Sequence, residues 1–242
     1  MKRTLLLLSL ATMILYSTRS SAQASETTAT IEKVKHPAYS EQYSYSSDDV
    51  TGAILARLKK DGINARSKKG VITATGVRYP AISAEPVDLY FQVSGRGRKD
   101  KDGATVTMFV SKGQDNFVGR SQDATVSHKA LRYLDDLRQD ITTYSLTRQV
   151  AEQQKTVDKQ TSTYKKHLKT SQKLESKRYS LQKDISGEMD PSKQDKLKSK
   201  LQKLNRDISD KQLDVQQSQR DLQRQKDQLS LLQDQLARQP KR

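Results

Sequence analysis

The chain has 242 residues, of which 33% are hydrophobic and 30% are charged, and its mean hydropathy of −0.86 is too polar for one large core. It contains no cysteine, which excludes disulfide bonds and a lipid attached to a cysteine. The formal net charge is +16, and residues 146–242 hold 23 Lys and Arg against 13 Asp and Glu. This excess keeps a long helix solvated, and it also favours anionic partners.

The N-terminus has the pattern of a secretory signal peptide. Residues 1–3 include two cations, residues 5–15 are mostly apolar, and Ala22 and Ala24 form an A-x-A cleavage site. The apolar run is shorter than the roughly 20 residues of a membrane-spanning helix. We therefore predict that residues 1–24 are removed on export and that no transmembrane segment remains. The predicted compartment is the periplasm, with the extracellular space as the alternative.

A small α+β head is predicted to follow, over residues 47–145. Residues 25–46 are interpreted as a linker or an edge strand whose Tyr39, Tyr43 and Tyr45 pack on the adjoining domain. A helix is expected to begin at Ser47, which would cap it, and to end at Gly62. Its apolar stripe consists of Val50, Ile54, Leu55 and Leu58.

Three strands and a second helix complete the predicted head. The first strand covers residues 70–76, and the other two have apolar side chains alternating over residues 87–93 and 104–110. Because residues 122–186 contain no glycine or proline, one helix is expected to run from the head into the C-terminal segment. The predicted head is thus two-layered, with a helix, a three-stranded antiparallel meander and a helix.

The loop between the second and third predicted strands is basic. It carries Arg96, Arg98, Lys99 and Lys101 among glycines and aspartates. These cations are a candidate contact for an anionic envelope polymer. The alternative is that they keep an exposed hairpin soluble.

An antiparallel coiled-coil hairpin is predicted over residues 146–238, with its turn near 187–192 and a tail at 239–242. Apolar residues recur at steps of four and three in two runs, and Gly187 and Pro191 separate the runs. The predicted core positions of the first run are Leu146, Val150, Gln153, Val157, Gln160, Tyr164, His167, Ser171, Leu174, Arg178, Leu181 and Ile185. Those of the second run are Leu197, Leu201, Leu204, Ile208, Lys211, Val215, Ser218, Leu222, Gln225, Leu229, Leu232 and Leu236.

The middle of this hairpin has half-polar core layers, whereas the turn end has successive apolar ones. We therefore expect the turn end to be the more stable part, and the middle to open first. The hypothesis is that a partner helix or an unfolded client inserts there. Its apolar contacts would be Val157, Tyr164, Val215 and Leu222.

Three stretches resemble a group of exported bacterial proteins of unknown function. They are GVRYP (76–80), VDLYF (87–91) and VSKGQDNF (110–117), and the resemblance implies a head followed by a polar coiled coil. The predicted architecture is also similar to the Skp-like periplasmic chaperones. It departs from them because the hairpin follows the head instead of being inserted in it.

No constellation of catalytic residues stands out. The histidines are His36, His128 and His167, and none has a second ligand at metal spacing. We predict a protein that is not an enzyme and has neither a cofactor nor a metal. The favoured function is an envelope scaffold that engages a protein partner or a second copy through its rod. The alternatives are a holdase chaperone and a binder of an anionic envelope polymer through the head, and nucleic acid is a less favoured partner for an exported chain.

Overall fold

The computed structural model describes residues 23–31, 33–97, 103–113 and 116–240. The predicted signal peptide, apart from residues 23 and 24, lies outside the described residues. The chain divides into two compact units between Ile141 and Thr142. Its elements are β1 (Ser25–Ile31), β2 (Val34–Tyr43), α1 (Ser47–Lys60), β3 (Arg66–Lys68), β4 (Val71–Tyr79), β5 (Ser83–Gly95), β6 (Ala104–Ser111), α2 (Ala124–Gly187) and α3 (Pro191–Ala237).

The first unit contains a six-stranded antiparallel sheet with the order β1-β2-β6-β5-β4-β3. The α+β class is confirmed, but the prediction of a three-stranded meander is wrong. The meander corresponds to β4, β5 and β6. Strand β3 extends it at one edge, and the β1–β2 hairpin extends it at the other.

Strands β1 and β2 lie in residues 25–46, for which an edge strand was one of the two interpretations, whereas β3 was not predicted. The sequences of these three strands lack an alternating apolar pattern. Strand β2 contains Pro37, which normally argues against a strand because it cannot donate a ladder hydrogen bond. Pro37 pairs with Thr28 of β1, whereas the ladder of β2 with β6 begins at Tyr39. The proline thus lies where β2 has a neighbour on one side. Strand β3 has three residues, all polar and exposed.

The core of the first unit lies between one face of the sheet and the helices. Helix α1 contacts β5 and β6, and the ring centroid of Tyr133 on α2 lies 5.8 Å from that of Phe91 on β5. Of the three tyrosines predicted to pack on the head, Tyr39 and Tyr43 are buried and Tyr45 is half-buried. The largest fully buried side chains are Tyr39, Tyr43, Tyr133, Phe91, Phe109, Ile54, Leu58, Ile72, Ile82, Leu89, Met108 and Leu134.

Helix α1 is capped by Ser46. Its Oγ accepts a hydrogen bond from the Asp49 backbone N–H at 3.2 Å, so the prediction that Ser47 caps the helix is wrong by one residue. Val50, Ile54 and Leu58 are buried, whereas Leu55 is half-buried. Gly62 follows the helix with φ of 77°, which glycine adopts without steric cost.

The second unit consists of α2 from Thr142 onward and α3. Asp190 caps α3, because its Oδ1 accepts a hydrogen bond from the Ser192 N–H at 2.9 Å, and Pro191 occupies the first turn, where its missing N–H costs nothing. The contacts between the two helices are those of an antiparallel pair. Gln153 contacts Gln225, His167 contacts Asp214 and Glu175 contacts Gln212.

Every predicted core position of the two runs is buried or half-buried. The distribution of burial along the pair differs from the expectation, however. Val157, Ile208, Ser218, Leu222 and Leu229 are buried, whereas the apolar side chains nearest the turn are only half-buried: Leu181, Ile185, Leu197 and Leu201. The greatest burial thus lies in the middle and toward the far end, and not at the turn.

Candidate partner-binding sites

Three of the four predicted contact residues on the helical pair lie in one apolar cluster. Val157, Leu222 and Leu229 are buried together, with Val150 and Tyr164 packed against them. The exposed fraction of Val157 is 6% and that of Leu222 is 7%. Both side chains are therefore covered by the opposite helix, and a partner can reach them only if α2 and α3 separate locally.

A polar pair joins the helices within this cluster. The Gln153 Nε2 donates to the Oε1 of Gln225 at 2.8 Å and approaches its backbone oxygen at 3.0 Å.

The fourth predicted contact residue, Val215, is half-buried. Its backbone oxygen accepts a hydrogen bond from the Ser218 Oγ at 3.0 Å, so the buried hydroxyl of Ser218 is satisfied within its own helix.

Asp214 connects the helices at the next level of the pair. Its Oδ2 lies 3.6 Å from the Nδ1 of His167 and also pairs with the ammonium of Lys211. The hydrogen bond from Lys211 lowers the pKa of the Asp214 carboxyl, so the carboxylate stays ionised over a wider pH range. Two of the predicted core positions that carry ionisable groups, His167 and Lys211, thus lie beside the same carboxylate, which forms an ion pair with Lys211.

Several large apolar side chains of the second unit face solvent. Tyr179 is 74% exposed, Leu213 59% and Leu231 62%, and Met189, in the turn that connects α2 to α3, is 96% exposed. Leu213 and Leu231 are 18 residues apart, which is five helical turns, so both lie on the same side of α3. In the sequence, these residues could have been recognised as apolar residues that lie outside the four-three pattern.

The basic loop of the head is only partly described. Arg96 donates its backbone N–H to the oxygen of Gly103 at 2.7 Å, which closes the β5–β6 hairpin as predicted. The other three candidate cations, Arg98, Lys99 and Lys101, lie outside the described residues. Their role in binding an anionic polymer stays a prediction.

A buried polar cluster links β2 to α2 inside the head. Glu41 is 2% exposed and accepts hydrogen bonds from the Tyr43 hydroxyl at 3.0 Å and from the Arg138 guanidinium. Burial raises the pKa of Glu41, although both donors oppose the shift. Burial also raises the pKa of Tyr43. A tyrosine that holds its proton this firmly is a hydrogen-bond donor and not a base.

A second cluster surrounds Tyr133 on the same side of the sheet. The guanidinium carbon of Arg57 lies 4.0 Å from the Tyr133 ring centroid, and its Nη1 is 2.9 Å from the Oδ2 of Asp140. The Tyr79 hydroxyl donates to Asp61 at 2.6 Å. Burial and this hydrogen bond raise the pKa of Tyr79 to about 12. The cluster ties α1, α2 and the end of β4 together.

The other face of the sheet carries an aromatic group that the sequence interpretation missed. The ring centroid of Phe117 lies 4.0 Å from that of His36, 6.1 Å from that of Tyr90 and 6.0 Å from that of Phe109. All four rings are buried or half-buried. One feature of the sequence could have indicated this group. In β5, Tyr90 lies between the core residues Leu89 and Phe91, so its ring points to the opposite face of the sheet.

Among the described residues, no group of three or more His, Asp or Glu side chains is arranged to hold a metal ion. Within the same ranges, no helix has the length and apolar composition that a membrane span requires. Comparisons of the chain with protein-family models, curated proteins and solved structures found no match.

Proposed function

We propose that this chain is a noncatalytic, exported envelope protein that acts as a scaffold and engages a partner protein through a coiled-coil rod formed by α2 and α3. The proposal rests on the outer surface of this helical pair. The pair buries a narrow strip of side chains and leaves Leu213 and Leu231 exposed on one side of α3. Exposed apolar side chains with a helical spacing are typical anchors for a partner helix.

The polar clusters of the head support the noncatalytic part of the proposal. In both clusters the ionisable groups are held by hydrogen bonds, ion pairs and ring contacts that join secondary-structure elements. Such buried networks fix the packing of a domain. The head thus serves as a folded platform, and the rod presents the binding surface.

The test is affinity capture from envelope extract with three forms of the full chain. We expect the wild-type chain to retain one partner at a constant stoichiometric ratio, and the double variant Leu213→Ser/Leu231→Ser to lose it. The matched control, Gln202→Ser/Gln233→Ser, changes two other exposed positions of α3 and should retain the partner. Equal capture by all three forms, or no captured partner, would contradict the proposal.

The alternative function is a holdase of the Skp-like type. It is favoured by the scattered exposure of Tyr179 and Met189 beside many lysines, since flexible apolar and cationic side chains suit unfolded clients. A holdase would capture many unfolded precursors with no fixed ratio. The same experiment therefore separates the two functions.

Hydrogen exchange tests the hypothesis that clients insert in the middle of the rod. Insertion beside Val157 and Leu222 requires local separation of the helices, so amides at residues 160–171 and 211–218 should exchange faster than those at 181–201. The burial of Ile208 and Ser218 favours the opposite result. Slow exchange in the middle would remove this site from consideration.

A further inference from the structure

Two rows of lysines lie on the half of the helical pair nearest the turn. On α2 they are four residues apart, at Lys165, Lys169, Lys173 and Lys177, and on α3 they alternate at steps of three and four, at Lys193, Lys196, Lys200 and Lys203. We call these eight residues the lysine array. All eight are exposed. Residues three or four apart are neighbours on a helix surface, so each row is a continuous band of positive charge.

The lysine array disfavours helix formation. Like charges at these spacings destabilise a helix by about 0.2–0.5 kcal/mol per pair. Lys193 is also in the first turn of α3, where the helix dipole favours anions. Within the part of the chain that the structure describes, none of the eight ammonium groups takes part in an ion pair.

The rest of α3 shows that the helix does not need such a band. Lys211 pairs with Asp214, and Arg224 pairs with Asp221. Alternating charges of this kind solvate a helix and also stabilise it. The C-terminal part of α3 is thus solvated without repulsion between like charges. A need for solubility therefore does not explain the lysine array near the turn.

The two rows meet on one side of the pair. Lys177 and Lys200 line the same open groove, together with Leu181, Leu204, Ser176, Ser180 and Asp184. The groove has one carboxylate, and Asp184 forms no ion pair with Lys200 among the described residues. One lysine of each row, Lys177 on α2 and Lys200 on α3, therefore borders the same surface groove.

We infer that the lysine array binds the surface of a bilayer that contains anionic phospholipid. At a rise of about 1.5 Å per residue, the α2 row alone extends about 18 Å, which is longer than one headgroup. Recognition of a single phosphate or carboxylate favours the fork of arginine, whereas an array of lysine point charges suits a diffuse surface of many phosphates. Clusters of four to eight cations are typical of proteins that bind anionic membranes.

The test is co-sedimentation of the full-length chain with vesicles. Vesicles of phosphatidylcholine with about 30% phosphatidylglycerol should bind the chain. The measured quantity is the increment in the bound fraction of the chain over that with pure phosphatidylcholine vesicles. The variant Lys193→Gln/Lys196→Gln/Lys200→Gln/Lys203→Gln should reduce that increment about tenfold or more. The control Lys155→Gln/Lys159→Gln/Arg220→Gln/Lys226→Gln removes the same charge from exposed positions farther from the turn, and should keep most of the binding.

Thermal unfolding distinguishes loss of binding from loss of folding. Removal of the repulsion should leave the Tm of the Lys193–Lys203 variant unchanged or higher, and a lower Tm would show that these lysines stabilise the fold. Equal loss of binding in both variants would overturn the inference, as would binding that does not depend on phosphatidylglycerol. Competition by soluble polyphosphate or DNA at equal phosphate concentration would assign the array to a soluble polyanion instead.

Discussion

Glu41 is an acidic side chain placed in the core of the head, where water does not reach it. Its carboxylate is held by Tyr43 and Arg138, yet burial outweighs these contacts and raises its pKa. The folded chain thus holds this proton more tightly than the unfolded chain does. For such a group, stability is highest at low pH and falls as pH rises from the ordinary glutamate value through the raised one.

The variant Glu41→Gln tests this linkage. Glutamine keeps an acceptor for Tyr43 but does not titrate, so the stability of the wild type relative to the variant should improve as pH is lowered from 7 toward 4.5. The free energy of unfolding is measured by urea titration at several pH values. Parallel pH profiles for the two proteins would show that the carboxyl does not titrate differently on folding.

At the scale of elements, Gly103 determines how closely the β5–β6 hairpin approaches β2. Its φ is +99°, and a Cβ atom there would overlap the backbone carbonyl of Tyr43. Gly113 also has a positive φ, of +87°, but a Cβ atom at this position would have open space within 4 Å. Substitution of Gly113 would therefore introduce backbone strain alone, whereas substitution of Gly103 would introduce both strain and steric overlap.

We expect Gly103→Ala to lower the free energy of unfolding by more than about 3 kcal/mol, because strain and overlap add. Gly113→Ala should cost about 1 kcal/mol, from strain alone. Chemical denaturation of both variants measures the difference. Similar losses would mean that the backbone of β2 yields to the new methyl group.

The helical pair offers a similar comparison between buried and exposed leucines on one helix. Leu222→Ala should destabilise the chain by about 2 kcal/mol, because its side chain packs with Val157 in a narrow core. Leu231→Ala, at a position that is 62% exposed, should change the stability by less than about 0.5 kcal/mol. Leu201→Ala should fall between them, since that side chain is half-buried. If thermal unfolding showed the largest loss of stability for Leu201→Ala, the expectation that the turn end is the more stable part of the pair would hold.

At the scale of the whole molecule, the antiparallel pairing of α2 and α3 can be tested in a chain that has no cysteine of its own. The Gln153 and Gln225 side chains hydrogen-bond across the two helices at 2.8 Å. Because these long side chains meet only at their tips, cysteines at these positions should be joined within one chain by a short bis-maleimide crosslinker, which spans more than a disulfide does. Cysteines at Gln153 and Gln202 should not. Crosslinks that appear only between chains at low concentration would indicate two long helices exchanged between copies.

The accuracy of the sequence interpretation followed the regularity of each pattern. The β5 alternation and the four-three repeat predicted core positions correctly, because each side chain there repeats the environment of its neighbours. The internal position of β2 could not be recognised, since it depends on pairing with distant β6. Burial along the pair was also misjudged: apolar character does not fix depth, and Ser218 is buried whereas Leu201 is not.

The position of β2 beside β6 also determines the order in which the head is completed. A chain made from its N-terminus presents Tyr39 and Tyr43 roughly 60 residues before β6, the strand whose residues pair with them. Until β6 and the start of α2 emerge, β2 has only β1 as a partner, and a two-stranded hairpin is marginally stable by itself. The nascent head therefore stays open until late and leaves an unpaired strand edge that a chaperone could cover.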